Sequence, residues 1–248
     1  MRRLTLLFTL LTLALTACSE PHSSSDSFRV MSYNVRNCKG LDGKIDYDRC
    51  AKVINKTHPQ VVAIQELDSM TTRYPGQYVL GNLARRTKMN DYYAASIDYK
   101  GGKYGIGILS KEPAISVTQH PLPCRKEPRT MIVAEFEKFY FVCTHLSLVE
   151  EDQITSVNII REHFASLPKP VIIAGDFNAT PSSEPIRLFS EFCTTLSNPE
   201  NYTFPADTPD RCIDYIMTND SSIKAEGATV VYEPVASDHR PLYVDVKF

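Results

Sequence analysis

The chain carries carboxylate, amide and imidazole side chains at positions where runs of strand-forming residues begin or end. These residues are Asn34, Glu66, His145, Asp176, Asn178, Asp214, Asp238 and His239. Binding and catalytic groups concentrate on loops that a rigid scaffold positions, although each residue alone also fits a turn or a hydrogen-bonded surface group. Together, four carboxylates and two amides make an oxygen-rich site for a hard cation, with two imidazoles for proton transfer or phosphate contact.

A scaffold with many strands is needed to position these residues, and the sequence predicts one. Strand patterns cover 28–35, 61–65, 91–97, 105–110, 114–120, 129–136, 139–144, 171–174, 213–217, 228–232 and 242–246. Helical periodicity covers 47–57 and 151–166, and a weaker pattern covers 78–87. Because helices can cover the outer faces of two packed sheets, this composition favours an α/β sandwich.

The N-terminal segment predicts export and lipid attachment. Arg2 and Arg3 precede an apolar run at 4–15 that is too short to span a bilayer and is typical of an export signal. The letters LTAC at 15–18 resemble the bacterial lipobox, in which cleavage leaves a lipid-bearing cysteine, here Cys18. An ordinary secretory signal with a chance cysteine is the alternative. Both interpretations place the mature protein outside the cytoplasm, on the periplasmic or cell-surface side of the membrane.

We therefore divide the 248 residues into three parts. A lipoprotein signal peptide occupies 1–17, and a lipid-anchored tether occupies 18–27, where the Ser-rich sequence at 20–27 has no apolar residue and predicts flexibility. One domain of ordinary size occupies 28–248. We expect a monomer that is held at the membrane through its N-terminal lipid.

Charge and cysteine content restrict the classes of partner and site. The formal net charge is −2, so no global positive field attracts nucleic acid. The seven cysteines include no CxxC or nearby CxxH pattern, which disfavours a zinc site. An exported location permits disulfides, and Cys38 with Cys50 is the pair we expect. Buried free thiols are the alternative.

Six short motifs identify a resemblance to a known family. They are MSYN at 31–34, QE at 65–66, THL at 144–146, GDFN at 175–178, IDYI at 213–216 and SDHRP at 237–241. In this order they resemble the motif series of the endonuclease/exonuclease/phosphatase superfamily, and six motifs in order are far more specific than one. The resemblance covers 28–248 and implies the deoxyribonuclease-I-like fold, a four-layer sandwich of two mostly antiparallel sheets flanked by helices.

The resemblance also implies how the oxygen ligands are used. Glu66 would be the main Mg²⁺ ligand, Asn34 would lie beside the metal and the phosphate, and Asp238 would assist. Mn²⁺ or Ca²⁺ are possible substitutes. Asp176 would orient or deprotonate the attacking water, and Asn178 would hold that water or a phosphate oxygen in line.

The imidazoles would act on the phosphate itself. The resemblance implies that His239 stabilises the pentacovalent phosphorane or acts as general base, while Asp214 fixes its tautomer. His145 would contact a non-bridging phosphate oxygen. Arg129 and Arg211 are candidates for binding substrate phosphate, and surface or structural ion pairs are an equally open alternative for both.

Departures from the DNA-repair members narrow the expected substrate. Those enzymes typically carry WN where this chain has Tyr33 and Asn34, and this chain has no Trp. The segments at 101–111 and 203–207 resemble bacterial metal-dependent hydrolases of the superfamily. We expect an Mg²⁺-dependent phosphodiesterase or phosphatase acting on a lipid headgroup, an inositol phosphate or a sugar phosphate. An exported nuclease is possible but not favoured, and an inactive surface-binding lipoprotein is a third alternative.

Overall fold

The structure is a computed structural model that describes residues 27–248. The predicted signal peptide, Cys18 and most of the predicted tether lie outside the described residues, so these assignments stay predictions. Within 27–248, no helix is long and apolar enough to cross a bilayer.

Most of the chain forms strands that assemble into two sheets. The strands are β1 (Phe28–Asn34), β2 (Val61–Ser69), β3 (Asn90–Tyr99), β4 (Gly102–Ser110), β5 (Ser116–Leu122), β6 (Arg129–Glu135), β7 (Tyr140–His145), β8 (Val171–Asp176), β9 (Thr194–Thr195), β10 (Asp214–Thr218), β11 (Lys224–Val230) and β12 (Leu242–Lys247). The sheets have six strands each, in the orders β11-β12-β1-β2-β4-β3 and β5-β6-β7-β8-β10-β9. In each sheet one pair is parallel, β1 with β2 and β7 with β8, and the other pairs are antiparallel.

Helices cover the outer face of each sheet. They are α1 (Tyr47–Thr57), α2 (Val79–Thr87), α3 (Glu150–Ala165) and α4 (Glu184–Phe189), and a short 3-10 turn occupies Arg36–Cys38. The first sheet packs against α1 and α2 through residues such as Ile54 and Leu83, and the second packs against α3 and α4 through residues such as Ile160. A third apolar layer lies between the sheets. This arrangement confirms the predicted four-layer sandwich.

Local sequence explains where α1 begins and ends. The Asp46 side chain accepts a hydrogen bond from the Arg49 amide at 2.9 Å and caps the first turn. His58 adopts the left-handed conformation, with φ of 52°, and ends the helix. Because both signals are local, the predicted bounds 47–57 match the structure.

The structure corrects the expected disulfide. All six cysteines of the described chain have free thiols, so the Cys38–Cys50 bridge is not formed. Both side chains are fully buried in the layer between the first sheet and α1, where a free cysteine packs as a small apolar residue. The alternative of buried free thiols therefore describes this pair.

The two pairs of parallel strands bring polar residues together at one edge of the sandwich. Asn34 at the end of β1 lies beside Gln65 of β2, and His145 at the end of β7 lies beside Asp176 of β8. We call this edge, where β1, β7 and β8 end, the site edge. We call the opposite edge, where these strands begin, the far edge.

Candidate active site

Two backbone features direct oxygen ligands to the site edge. Asn34 is the last residue of β1, and it is almost fully buried. Glu66 lies within β2 at a bulge, where pairing with β4 shifts register between Ile64 and Leu67. Its φ of 60° is uncommon for a residue with a side chain. Bulges re-aim side chains next to active sites, so the strained backbone at Glu66 marks a functional position.

The Asn34 amide joins the two sheets. Its Nδ2 donates hydrogen bonds to Glu66 Oε1 at 3.1 Å and to Asp176 Oδ2 at 3.0 Å. Its Oδ1 accepts from the Arg36 amide at 3.1 Å, which fixes the orientation of the side chain. Because Glu66 belongs to the first sheet and Asp176 to the second, this amide holds the two carboxylates in one site.

Two imidazoles flank the Asp176 carboxylate. His239 Nδ1 lies 2.9 Å from Asp214 Oδ2, and His239 Nε2 lies 3.6 Å from Asp176 Oδ2. His145 Nε2 approaches the same Asp176 oxygen at 3.4 Å. The ring of Phe204 lies over His239, with 4.8 Å between centroids. This geometry pairs a carboxylate with His239 as the sequence predicts, and it places a second carboxylate on the opposite nitrogen.

Burial and neighbouring charges give the two histidines opposite protonation states. Burial lowers the pKa of His239, but the negative charges of Asp214 and Asp176 outweigh it and raise the pKa to about 10. Burial lowers the pKa of His145 well below its ordinary value, and the positive charges of Arg129 and His239 add to this shift. At neutral pH, His239 is therefore an imidazolium and His145 is neutral.

The carboxylates respond to the same environment. Burial raises the pKa of Asp176 to about 7, although the charge of His239 opposes this shift. Burial also raises the pKa of Glu66, and the Asn34 hydrogen bond opposes it. Two carboxyl groups with raised pKa values in one desolvated cluster indicate a site that would gain from a bound cation or from transfer of a proton.

The donor set fits a hard divalent cation. Glu66 presents carboxylate oxygens, and Asp238 is close enough that its charge raises the pKa of Glu66. Asn34 turns Nδ2 toward Glu66 and Oδ1 toward the Arg36 amide, so it orients the Glu66 ligand and does not offer the oxygen that the resemblance implies. A second grouping is possible, because ligand atoms of Asp176, Asp214 and His239 lie within 4.8 Å of one another. We favour the first grouping, since the hydrogen bond between His239 and Asp214 already uses two of those atoms, and Mg²⁺ prefers oxygen to imidazole nitrogen.

Asn178 and Asp238 border this cluster. The backbone N–H of Asn178 donates to Asp176 Oδ1 at 2.9 Å, and the side-chain Nδ2 of Asn178 donates to the Leu146 carbonyl at 3.0 Å. Asn178 therefore fixes the Asp176 carboxylate and turns its own side chain to the loop after β7. Asp238 Oδ2 lies 3.3 Å from Arg36 Nε, beside His239 in the chain. Both residues reach the site edge, as the motifs predict.

The structure separates the two candidate arginines. Arg129 is buried at the start of β6, where Nη1 lies 2.5 Å from Glu127 Oε1 and the buried Nε has no hydrogen-bond partner within 27–248. Its charge affects the pKa of both His145 and Glu66, so it belongs to the site. Arg211 has a half-exposed side chain that pairs with Asp210 at 2.6 Å. Its guanidinium carbon lies 5.5 Å from the centroid of the Phe204 ring, which in turn lies over His239.

Three further residues at the site were not singled out by the sequence. Ser237 Oγ donates to the Asn34 carbonyl at 2.7 Å and ties the loop before β12 to β1. Burial raises the pKa of Tyr104, and the charge of Glu66 adds to the shift, which indicates that this phenol lies near Glu66. Arg36 pairs with Asp238. Ser237 lies inside the SDHRP motif, Arg36 follows Asn34 by two positions, and Tyr104 lies inside the segment at 101–111 that resembles the bacterial hydrolases.

Comparison with known proteins identifies the family. The model of the endonuclease/exonuclease/phosphatase family matches residues 31–239, which include all eight polar residues of the predicted site. No curated protein sequence matches the chain significantly.

Solved structures share the fold at low sequence identity. An endonuclease/exonuclease/phosphatase from Beutenbergia cavernae DSM 12333 has a TM-score of 0.77 and 21% identity, covering 90% of this chain and 72% of that chain. A mannosyl-6-phosphatase from Bacteroides thetaiotaomicron VPI-5482 has a TM-score of 0.75 and 17% identity, covering 90% and 100%. A humanized TDP2 from D. rerio has a TM-score of 0.72 and 16% identity, covering 90% and 100%. These likenesses show the fold.

Proposed function

We propose that this chain, which belongs to the endonuclease/exonuclease/phosphatase family, is an Mg²⁺-dependent hydrolase of phosphoesters that acts outside the cytoplasm. The observation that carries the proposal is the continuous set of contacts from Glu66 through Asn34 and Asp176 to the pair of His239 and Asp214. It joins candidate metal ligands, a candidate base and an imidazolium within one buried cluster. A sugar phosphate, an inositol phosphate and a lipid headgroup are the substrate classes that follow from the sequence.

The metal would supply charge neutralisation. A divalent cation held by Glu66, with Asp238 nearby and Asn34 orienting the Glu66 carboxylate, would polarise the phosphate and offset the negative charge that repels a nucleophile. Glu66 supports this role because its desolvated carboxylate has a raised pKa and accepts one hydrogen bond from Asn34, leaving lone pairs for a cation.

Asp176 and Asn178 would prepare the attacking water. A carboxylate with a pKa of about 7 can accept a proton near neutral pH, which is the range where a general base works best. The Asn178 amide holds Asp176 Oδ1, so the other carboxylate oxygen faces Asn34 and the two imidazoles. Asp176 is therefore oriented toward the place where the phosphate would bind.

The imidazoles and Arg129 would stabilise charge on the phosphate. His239 is held through Nδ1 by Asp214, so its protonated Nε2 can donate a hydrogen bond to an oxygen that gains charge in the transition state. The neutral ring of His145 would contact a non-bridging oxygen without adding charge. The buried guanidinium of Arg129, whose Nε has no hydrogen-bond partner within 27–248, would add positive charge beside the phosphate.

Hydrolysis of a substrate panel tests the proposal. The full chain, purified in detergent, would be incubated with sugar phosphates, inositol phosphates, phospholipids, nucleic acids and bis-p-nitrophenyl phosphate, with Mg²⁺ or with EDTA. We expect Mg²⁺-dependent release of phosphate or alcohol from at least one non-nucleic-acid substrate. Preference for nucleic acid would favour the nuclease alternative. Absence of turnover across the panel would favour the inactive binding protein.

Lipid anchoring belongs to the same proposal and has its own test. Cys18 is the residue that the lipobox-like sequence offers for lipid attachment. We expect Cys18→Ser to leave the protein unprocessed or to release it from the membrane fraction, because no apolar residue follows at 20–27. Retention of a processed Cys18→Ser chain in washed membranes would exclude the lipid anchor.

A further inference from the structure

An apolar pocket opens at the far edge of the sandwich. Its volume is about 570 Å³, and its walls include Phe28, Ile115, Phe136, Phe139 and Phe248. The Phe139 ring lies 5.2 Å from Phe28, 5.2 Å from Phe136 and 5.1 Å from Phe248 between centroids. The pocket is therefore the open end of the apolar layer between the two sheets, to which Phe136 and Phe139 belong.

Part of this apolar wall is exposed. Ile115 is 65% exposed and Phe248 is 41% exposed, although both border a concave surface. Apolar pockets of this size are typical of ligand sites, because covering them with an apolar group removes unfavourable hydration. Four polar residues, Gln60, Glu112, Glu137 and Lys138, also line the pocket, and its aromatic and aliphatic walls are the part that fits a hydrocarbon chain.

The pocket lies opposite the candidate active site. β1 begins at Phe28 in the pocket wall and ends at Asn34 in the site. β7 follows Phe139 and ends at His145, and β6 runs the other way from Arg129 toward Phe136. At about 3.3 Å per residue, the seven residues of β1 separate the pocket from the site by roughly 20 Å.

The segment that would carry the lipid joins the domain at this pocket, because it leads directly to Phe28 in the pocket wall. Ten residue steps join Cys18 to Phe28, so the reach from a lipid on Cys18 to the pocket wall is at most about 35 Å. A lipid on Cys18 would thus hold the far edge of the domain close to the bilayer. The site edge, at the other end of the same strands, would then be the more distant edge.

We infer that this pocket accepts an acyl chain of the membrane that holds the N-terminal lipid, so that the far edge rests on the bilayer and the active site opens away from it. This inference rests on the proposed hydrolase and its proposed lipid anchor. It selects among the substrate classes: a site that faces away from the host membrane acts on a soluble phosphoester, such as a sugar phosphate or an inositol phosphate. The headgroups of the same membrane would be out of its reach.

Exposed apolar residues at the site edge allow a test of the opposite orientation, in which the site edge contacts the bilayer. Leu148 follows β7 and is 77% exposed, and Met70 follows β2 and is 58% exposed. Neither residue lines the far-edge pocket, and single exposed apolar residues are normal on protein surfaces. They serve as internal controls, because a headgroup hydrolase would press this edge onto the bilayer.

Photolabelling within the bilayer distinguishes the two orientations. The full lipidated chain would be reconstituted in phosphatidylcholine vesicles containing a phospholipid with a diazirine in its acyl chain, irradiated and analysed by peptide mass spectrometry. We expect labelling of peptides that contain Ile115, Phe139 or Phe248 to exceed labelling at Leu148 and Met70 several-fold. Labelling concentrated at Leu148 and Met70 would overturn the inference.

A matched pair of variants on β5 and its approach tests the pocket itself. Ile115→Glu places a charge in the pocket wall and should lower labelling of the far edge several-fold. Val117→Glu, two residues away at a 38% exposed position that does not line the pocket, should leave the labelling pattern unchanged. Equal labelling in both variants would overturn the inference. The inference would also be overturned if the pocket were labelled in Cys18→Ser but not in the wild type. That result would mean that the protein's own lipid occupies the pocket in the wild type.

Separate measurements distinguish a failure of the inferred membrane orientation from a failure of the proposed function. The mass of the N-terminal peptide reports whether Cys18 carries lipid, and turnover of soluble phosphoesters reports whether the chain is a hydrolase. If both hold, faster hydrolysis of the host membrane's headgroups than of any soluble phosphoester would contradict the orientation alone.

Discussion

β1, β6 and β7 each carry a polar group at the site edge and an aromatic side chain at or just beyond the far edge. The polar groups are Asn34, Arg129 and His145, and the aromatic ones are Phe28, Phe136 and Phe139. Between these ends, the same strands contribute to the apolar layers of the sandwich. Strand interiors must pack, whereas strand ends are free to differ, and this is why opposite edges of one scaffold hold opposite chemistry.

The two edges also differ in their effect on stability. The site edge holds features that oppose folding: a left-handed conformation at Glu66, and buried Arg129 Nε and Asp214 Oδ1 atoms without partners in the described chain. The far edge holds packed rings and the ion pair of Lys169 with Glu135 at 2.7 Å. We therefore expect changes at the site edge to reduce turnover more than stability, and changes at the far edge to do the reverse.

The largest expected effect is loss of the metal or of its main ligand. Glu66→Ala should lower kcat/KM on the order of 10³-fold or more, and EDTA should have a similar effect on the wild type, because neutralisation of phosphate charge is lost. Glu226→Ala, which removes an exposed glutamate from β11, is the matched control and should retain wild-type rates. Undiminished activity in EDTA would exclude the metal-dependent mechanism.

The next effect concerns the pair of His239 and Asp214. His239→Ala should lower kcat/KM roughly 10²-fold, the scale of losing one positioned proton donor or charge-stabilising group. Asp214→Asn should cost less once His239 is absent, because Asp214 acts by holding that imidazole. Rates for both single variants and the double variant, with Mg²⁺ titrations, provide the measurement. Strictly multiplicative losses would show that the two residues act independently.

Local signals made much of the fold predictable from the sequence. The bounds of α1 follow from its cap at Asp46 and its stop at His58. By contrast, α4 has six residues and β9 has two. These elements are too short to show the helical or the strand periodicity of apolar residues. β2 continues to Ser69 beyond the predicted end at 65, because the bulge at Glu66 interrupts the alternation without ending the strand.

The site was predictable as a set of residues but not as a set of contacts. Motif order identifies Asn34 and Asp176, yet only packing of the two sheets places the Asn34 amide 3.0 Å from the Asp176 carboxylate. The arginines show the same limit. Nothing in the sequence distinguishes Arg129 from Arg211, whereas tertiary structure buries the first and leaves the second exposed beside Asp210.

A change at the far edge should affect stability alone. Val246 is fully buried in β12 beside Phe28. Val246→Ala removes two buried methyl groups from the layer between the sheets and should lower the free energy of unfolding by about 2 kcal/mol. Urea unfolding and kcat/KM below the unfolding transition provide the two measurements. A kcat/KM reduced as much as in His239→Ala would contradict the separation of the two edges.

The smallest expected effect is a pH dependence of metal-free stability that arises at the site edge. The pKa of Asp176 rises from 3.8 to about 7 on folding and that of His239 from 6.5 to about 10, so the folded state binds more protons. The stability that each group contributes is complete below its unfolded pKa and is lost as pH rises through its folded pKa. Asp176 therefore loses its contribution between pH 3.8 and about pH 7 and His239 between pH 6.5 and about pH 10, so at least one of them reduces stability throughout the range from about pH 5.5 to pH 8. In EDTA, the urea midpoint of the wild type should fall over this range. The urea midpoint of Asp176→Asn should fall less, and this variant should be the more stable chain at pH 8.

Asp220→Asn is the control at the far edge. Ser222 hydrogen bonds lower the pKa of Asp220, so its contribution to stability is lost only in stronger acid, and the slope of the urea midpoint against pH should stay that of the wild type. Equal slopes for the wild type and Asp176→Asn would mean that Asp176 carries no raised pKa in the folded protein, and the case for it as the base would fall with that result.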